Sequence, residues 1–161
     1  MENTDFMTAA LQAAKESAAE GEVPVGAVIV RHGEIVAVGR NRRETVKDAL
    51  SHAEIEAIRT ACAVLGGWRL WECEMFVTLE PCPMCAGAIL NARLRKVTFG
   101  AYDLKNGAVE SVMHLFDYPF THKPLYEGGV REEECAAVLS DFFRDLRKNK
   151  EKERKPSAQN P

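Results

Sequence analysis

The sequence predicts an α/β domain of three layers, in which helices cover both faces of a mixed β-sheet. Apolar residues at helical spacing alternate along the chain with short β-branched segments, and this alternation is typical of that class. The first two predicted strands flank a short turn at residues 31–34, so they form an antiparallel hairpin and make the sheet mixed. A length of 161 residues suits one domain with a sizeable core.

Each element is predicted from its own local pattern. Apolar residues recur at helical spacing between Phe6 and Ala14, and Gly21 follows this opening helix. Ser51 is the expected N-cap of a second helix, which Gly66 ends. The predicted strands are residues 23–30, 35–38, 75–79, 96–99 and about 124–128; the remaining helices are residues 52–63, 82–92, about 111–116 and 135–146; residues 41–50 and 103–107 are predicted loops.

The charge distribution divides the chain at its C-terminal end. We expect residues 1–147 to form the domain and residues 148–161 to form a basic, flexible tail. The formal net charge is −3, which argues against a generally basic nucleic-acid binder, yet residues 144–155 hold seven basic and three acidic side chains. Such a segment could contact phosphates, or it could be a solvated helix end whose cations are favourable there.

Composition excludes several classes of protein. With 46% hydrophobic and 28% charged residues, the chain is ordinary for a soluble globular protein. We expect no membrane association, because no apolar run approaches the length of a membrane span and the acidic N-terminus lacks the features of a secretory signal. Five cysteines are an odd number, so a disulfide framework is not expected and a reducing, cytoplasmic setting is; Cys62, Cys73 and Cys135 are interpreted as core thiols.

Two short motifs carry the chemistry. The first is His52-Ala53-Glu54 and the second is the segment Pro81-Cys82-Pro83-Met84-Cys85. One imidazole and two thiolates can hold Zn²⁺ through three protein ligands, which leaves the fourth position for water, as in catalytic zinc sites. We therefore predict one Zn²⁺ per chain, bound by His52, Cys82 and Cys85, with Glu54 as the group that moves protons. Both motifs fall at predicted helix starts, where the helix dipole favours thiolate.

Each motif alone has another interpretation. A Cys-x-x-Cys pair between a strand and a helix is also typical of thioredoxin-like redox sites. A structural zinc site would need a fourth protein ligand, and a single His-x-Glu triplet is common on surfaces. The two motifs together, in this order, favour the catalytic zinc site.

Together the motifs match the H-x-E and P-C-x-x-C signature of zinc-dependent nucleobase deaminases. The chain thus resembles the cytidine deaminase superfamily and, within it, the bacterial tRNA-specific adenosine deaminases. The resemblance extends from about residue 6 to residue 147. The segments that carry it are GEVPVGA at residues 21–27, SHAEI at 51–55, VTLEPCPMCAGA at 77–88, FGAYD at 99–103 and LSDFFR at 139–144.

This resemblance implies a three-layer cytidine deaminase-like fold with a five-stranded mixed sheet, and a homodimer. It implies that the substrate is the wobble adenosine of a tRNA anticodon loop, which becomes inosine. Asn41 corresponds to the side chain that hydrogen-bonds the base. The other implied substrate contacts are Val25, Ala53 and Leu79 in the pocket, and Asp103 and Lys105 in a loop that touches the flanking nucleotides.

These assignments leave alternatives open. Asn41 could instead be a turn residue, the three apolar residues could belong to the core, and Asp103 with Lys105 could lie in an ordinary exposed loop. The main alternative function is deamination of a free nucleobase or nucleoside, such as guanine or cytosine. A non-catalytic RNA-binding or redox module is the alternative from another class.

Overall fold

The structure is a computed structural model, which describes residues 3–154, with side chains from residue 5. Four helices and five strands follow one another along this part of the chain. They are α1 (Asn3–Ala19), β1 (Gly26–Arg31), β2 (Glu34–Arg40), α2 (Ala53–Leu65), β3 (Cys73–Leu79), α3 (Pro83–Ala92), β4 (Lys96–Ala101), β5 (Leu125–Glu127) and α4 (Glu132–Arg154), with a 3₁₀ turn at Leu115–Asp117 before β5. No helix within residues 3–154 has the length and hydrophobicity needed to cross a membrane.

The five strands form one mixed sheet in the order β2-β1-β3-β4-β5. Strand β1 pairs antiparallel with both β2 and β3, whereas β3–β4 and β4–β5 are parallel pairs. Strands β2, β3 and β4 therefore point the same way, and the segments that leave their carboxyl ends meet at one edge of the sheet. The predicted α/β class and the mixed, five-stranded sheet are confirmed.

Helices cover both faces, as predicted. Helices α1 and α4 pack on one face, where Cys135 is buried and the tilted rings of Phe6 and Phe76 pack with their centroids 5.1 Å apart. Helices α2 and α3 pack on the other face, over a core that contains Met75 and Phe99. Burial of these two apolar faces is the main force that holds the layers together.

Helix α2 lies unusually close to the sheet at its first turn. A Cβ atom on Gly39 of β2 would overlap the carbonyl oxygen of Ala53 and the amide nitrogen of Ala57. Only glycine allows this approach, because it has no side chain. The contact places the first turn of α2 directly over the sheet, beside the edge where the zinc motif is found.

Three local predictions were wrong. Ser51 is not the N-cap of α2; His52 occupies that position and makes no capping hydrogen bond, which leaves its ring free for another role. The helix predicted over residues 111–116 is only the short turn at Leu115–Asp117, because the backbone before it bonds to a buried carboxylate instead. Strand β1 begins at Gly26 and not at residue 23.

Helix α4 continues well past the predicted end at residue 146. It remains helical to Arg154, with side chains that are exposed from residue 144 onward. The boundary expected after residue 147 falls inside this helix, and the division into domain and flexible tail stays a prediction. Residues 155–161 lie outside the described part of the chain.

The three cysteines outside the motifs occupy two kinds of position. Cys73 and Cys135 are buried in the core, as predicted, whereas Cys62 is half-buried at the edge of the α2 layer. All five cysteines lie within the described residues and carry free thiols.

Candidate active site

The predicted zinc ligands lie together at the edge of the sheet where α2 and α3 begin. His52 is the N-cap of α2 and Cys82 is the N-cap of α3, with Cys85 one turn further on. The nitrogen Nδ1 of His52 lies 3.7 Å from Sγ of Cys82 and 3.6 Å from Sγ of Cys85. All three ligand atoms are within 4.8 Å of one another.

These spacings fit a tetrahedral zinc ion. Zinc–sulfur and zinc–nitrogen bonds of about 2.3 and 2.1 Å, meeting at a tetrahedral angle of about 109°, separate sulfur from nitrogen by about 3.6 Å. The observed separations of 3.7 and 3.6 Å agree with this value. Two thiolates and an imidazole are also ligands that zinc prefers.

The cluster has three protein donors. Among the described residues, His52, Cys82 and Cys85 form one cluster of metal-ligand side chains, and this cluster has no fourth histidine, cysteine or acidic member. A structural zinc site would be closed by four protein ligands. The arrangement therefore favours a catalytic site with one open position over a structural one.

Of the two thiols, that of Cys82 ionises more readily, because its pKa is lowered. A hydrogen bond from Cys85, and a second from His52, lower the pKa of Cys82 to about 4 against the opposing effect of burial. The pKa of Cys85 is raised, because its thiol donates to Cys82 and is buried. The hydrogen bond between His52 and Cys82 raises the pKa of His52. Zinc deprotonates a coordinating thiol outright, so both sulfurs become thiolates when the metal binds.

Glu54 lies in the first turn of α2, two residues after His52, and is 4% exposed. Burial raises the pKa of its carboxyl to about 7, although its own backbone N–H and the Cys85 thiol partly stabilise the charge. A carboxyl group in this range can both accept and return a proton near neutral pH. This is the property that general acid–base catalysis requires.

An open pocket of about 720 Å³ lies in front of the cluster. Nearly all of the predicted site residues line it: Val25, Asn41, His52, Ala53, Glu54, Leu79, Cys82, Asp103 and Lys105. Cys85 is the exception, because it is fully buried behind the other two ligands. The structure thus brings the predicted site residues together in one place, while the roles of the substrate contacts stay predictions.

Asn41 has a structural task in addition to its place in the pocket. Its Nδ2 donates to the carbonyl of Val23 at 3.1 Å, and its Oδ1 accepts from the backbone N–H of Arg43 at 3.2 Å. This pair of hydrogen bonds fixes the start of the turn that follows Asn41. It does not exclude contact with a base, because an amide NH₂ group carries a second hydrogen and the oxygen a second lone pair.

Asp103 and Lys105 begin the segment that follows β4. Oδ1 of Asp103 accepts from the backbone N–H groups of Lys105 and Asn106, at 3.1 and 3.0 Å. This is an Asx-type turn, which fixes the start of the segment where it lines the pocket. Lys105 itself is exposed.

Several pocket residues were not predicted from the sequence. Arg43, Tyr102 and Asn106 contribute polar groups, and Leu139 and Phe143 come from α4. Glu80 also borders the pocket and is a buried carboxylate with several backbone partners. A charged residue directly after a buried strand was the available signal for Glu80, whereas the residues from α4 could be placed only by the tertiary fold.

Comparisons with known proteins agree with the geometry of the site. A family model described as the cytidine and deoxycytidylate deaminase zinc-binding region matches residues 1–101. The chain is 48% identical over 151 residues to the tRNA-specific adenosine deaminase of Bacillus subtilis, which covers 93% of this chain and 94% of the relative. It is 46% identical over 147 residues to the enzyme of the same name from Agrobacterium fabrum, with coverage of 91% and 97%.

Solved structures of deaminases are also similar to this chain. A structure from a study of A-to-I editing by tRNA:A34 deaminases at the wobble position is 45% identical, with a TM-score of 0.83, and covers 85% of this chain and 100% of its own. A guanine deaminase of Bacillus subtilis is 33% identical with a TM-score of 0.62, covering 100% and 99%. The chain therefore belongs to the zinc-binding cytidine and deoxycytidylate deaminase family and, within it, to the tRNA-specific adenosine deaminases.

Proposed function

We propose that the protein converts the wobble adenosine of a tRNA anticodon loop to inosine by hydrolytic deamination. The observation that carries this proposal is the joint placement of three zinc-ligand atoms and the buried Glu54 at one open pocket. The similarity to tRNA-specific adenosine deaminases, at 48% identity, then favours adenosine in RNA among the possible amines.

The reaction needs a nucleophile and a proton carrier. His52, Cys82 and Cys85 would hold a zinc ion, and this ion would supply a polarised water whose pKa is lowered toward neutrality. Glu54 accepts a proton from the attacking water and delivers it to the ring nitrogen beside the amine-bearing carbon. It then takes the second proton, from the hydroxyl group added to that carbon, and gives it to the departing amine, so that water and adenosine yield inosine and ammonia.

The pocket wall supplies contacts for a base that leaves its stack. Val25, Ala53 and Leu79 offer apolar surface beside the metal cluster, and Asn41 offers its remaining hydrogen-bonding capacity to the ring. A base in an anticodon loop is partly unstacked already, so its transfer into the pocket costs only a few kcal/mol at most.

Helix α4 supports the contact with RNA. Leu139 and Phe143 line the pocket, and the basic segment that starts at Arg144 follows directly along the same helix. Phe143 is 40% exposed, and its ring packs edge-on against Phe142 at a centroid distance of 5.4 Å. An exposed ring beside a row of cations is suited to an unpaired base and its phosphates.

We further propose that the chain acts as a homodimer in the cytoplasm. Free thiols are typical of a reducing compartment. Large exposed apolar side chains near the C-terminal end of α2, at Val64, Trp68 and Trp71, are of the kind found at contacts between subunits. Sedimentation velocity tests the dimer: a single species with the mass of one chain would contradict it.

Deamination of a free nucleobase is the second candidate function. It is supported by the 33% identity and full-length similarity to a guanine deaminase. The two functions share the metal cluster and Glu54, so the site alone does not separate them.

A comparison of separate substrates decides between the two functions. The zinc-loaded protein is incubated with an anticodon stem-loop that has adenosine at the wobble position and, separately, with free guanine and free cytosine, and ammonia release is followed. We expect ammonia from the stem-loop, with inosine at the wobble position, and none from the free bases. The Glu54→Ala variant, loaded with the same amount of zinc, is the matched control and should release none. Ammonia from guanine but not from the stem-loop would contradict the proposal.

A further inference from the structure

Glu80 is a buried glutamate at the carboxyl end of β3, immediately before the Pro81-Cys82 segment, and it is 2% exposed. Its carboxylate accepts five hydrogen bonds from one segment of the chain. The donors are the backbone N–H groups of Asp103, Val109, Glu110 and Ser111, at 2.8–3.2 Å, and the hydroxyl of Ser111. A single side chain thus binds both ends of residues 103–111.

This segment, which we call the 103–111 loop, forms one wall of the pocket. Its first four residues, Asp103, Leu104, Lys105 and Asn106, all line the pocket. The loop contains no helix or strand, so its backbone donors need partners elsewhere. Glu80 supplies these partners at both ends of the loop.

The packing around the carboxylate leaves little room for movement. Gly107 lies so close to Glu80 that a Cβ atom on residue 107 would overlap the carboxyl group. The backbone N–H of Ala108 also donates to the carbonyl of Pro81, at 2.8 Å, beside the same side chain. The loop is therefore wrapped around Glu80, and its pocket-facing residues are held at a fixed distance from the metal cluster.

The charge of Glu80 suits this role. Burial alone would raise the pKa of its carboxyl, but the Ser111 hydroxyl and the backbone N–H groups outweigh burial and lower it. Five donors converge on this group, and a carboxylate has acceptor sites for all of them.

We propose that Glu80 is a positioning residue for the RNA substrate: it fixes the 103–111 loop so that residues 103–106 meet the nucleotides beside the target base. This inference rests on the proposed function, because it takes RNA as the ligand of the loop. Glu80 is not a member of the metal-ligand cluster, and its carboxylate is bonded to the loop, so we infer that it acts through the loop.

The test compares Glu80→Gln with Glu74→Gln in the zinc-loaded protein. Glu74 lies on the same strand, at its other end, where it pairs with Arg95 at 3.4 Å on the surface. Glutamine keeps the size of the side chain but turns an NH₂ group toward the backbone donors. For an anticodon stem-loop we expect Glu80→Gln to raise KM by about tenfold or more and to change kcat by less than about threefold, with Glu74→Gln unchanged.

The split between KM and kcat separates positioning from a general structural role. Partial unfolding would lower the active fraction, and thus the apparent kcat, without raising KM. An unchanged KM in a folded, zinc-loaded Glu80→Gln protein would overturn the proposal. A fall in kcat alone would also overturn it, because that result would place Glu80 in the chemistry.

Two further measurements do not depend on turnover. Amide hydrogen exchange in Glu80→Gln should accelerate at Asp103 and at residues 109–111, while β3 keeps its protection. The affinity for the stem-loop, measured in the Glu54→Ala background where no reaction occurs, should fall about as much as KM rises. These measurements still decide the inference if the proposed reaction fails, since unchanged protection or unchanged affinity would refute it.

A second variant reaches the same contact from the loop. Gly107→Ala leaves the Glu80 carboxylate intact but adds a methyl group that would overlap this carboxylate. We expect it to reproduce the rise in KM and the faster exchange of Glu80→Gln. Wild-type KM and protection in Gly107→Ala would contradict the inference, even if Glu80→Gln fails to fold.

Discussion

Glu54 and Glu80 are two buried glutamates at the same edge of the sheet, yet their carboxyl groups behave in opposite ways. Both are nearly inaccessible to solvent, at 4% and 2% exposure. Burial raises the pKa of Glu54 to about 7, whereas hydrogen bonds from the 103–111 loop outweigh burial at Glu80 and lower its pKa. The difference has two sources: Glu80 has more hydrogen-bond donors, whereas Glu54 is more strongly desolvated and lies beside the charge of Cys82.

This contrast explains how one site holds both a reactive and a structural carboxyl group. A buried carboxylate with few donors is close in free energy to its protonated form, so it can exchange protons during a reaction. A carboxylate with several donors stays charged and holds them in place. We infer that the donors of the 103–111 loop keep Glu80 charged, whereas strong desolvation keeps Glu54 close to its protonated form.

The largest expected effect is on turnover after the substitution Glu54→Gln. Glutamine has nearly the same volume but cannot shuttle protons, so kcat for the anticodon stem-loop should fall by about 10³-fold. Zinc content per chain, measured by mass spectrometry, should stay at the wild-type value. Turnover within about tenfold of wild type would contradict the role of Glu54 as proton carrier.

The same isosteric change should affect stability in opposite ways at the two positions. Glu80→Gln leaves backbone donors without an acceptor, so the free energy of unfolding should fall by about 2–3 kcal/mol. Glu54→Gln removes a charge that burial disfavours, so its stability near pH 8, above the raised pKa of about 7, should be unchanged or higher. Urea unfolding of both variants in zinc-free buffer checks this, and equal losses of stability would remove the distinction between the two glutamates.

The smallest expected effect is a pH-dependent one at Glu22, a third buried glutamate. It accepts from the backbone N–H groups of Glu44 and Thr45 at 3.0 and 2.7 Å, and despite burial these bonds lower its pKa below the ordinary value of 4.5. The stabilisation is present above pH 4.5 and is lost as the pH falls through the lowered pKa. Glu22→Gln should thus cost about 1–2 kcal/mol near neutral pH, and less in acid.

Denaturation midpoints of wild type and Glu22→Gln, measured from neutral pH to below pH 4.5, test this expectation. The difference between the two proteins should shrink toward acid, because protonated Glu22 resembles glutamine. A difference that is constant over the whole range would show that Glu22 acts through its shape and not through its charge.

The central chemistry of this site could be predicted from sequence because it depends on short spacings. His52 and Glu54 are two residues apart, and Cys82 and Cys85 are three apart at a helix start, so local geometry already restricts where their side chains lie. The alternation of helices and strands likewise predicted the three layers. Both predictions depend on residues that are close in sequence. The fold then brings the two motifs to one edge of the sheet.

The role of Glu80 could not be predicted, because its partners are 23–31 residues away and are mostly backbone N–H groups, which have no sequence signature. The same bonds explain why the helix expected at residues 111–116 was wrong, since Ser111 gives its N–H to Glu80. The Leu139 and Phe143 contributions to the pocket depend on where α4 packs against the sheet, which periodicity alone does not determine.

The most direct test of the account is X-ray absorption at the zinc edge of the purified, zinc-loaded protein. Three protein ligands and an open position predict two sulfur neighbours at about 2.3 Å, one imidazole nitrogen, and one further light atom at about 2.0–2.1 Å from water. A third sulfur or a second imidazole would show a closed, structural site. That result would contradict the claim that this pocket activates water beside Glu54.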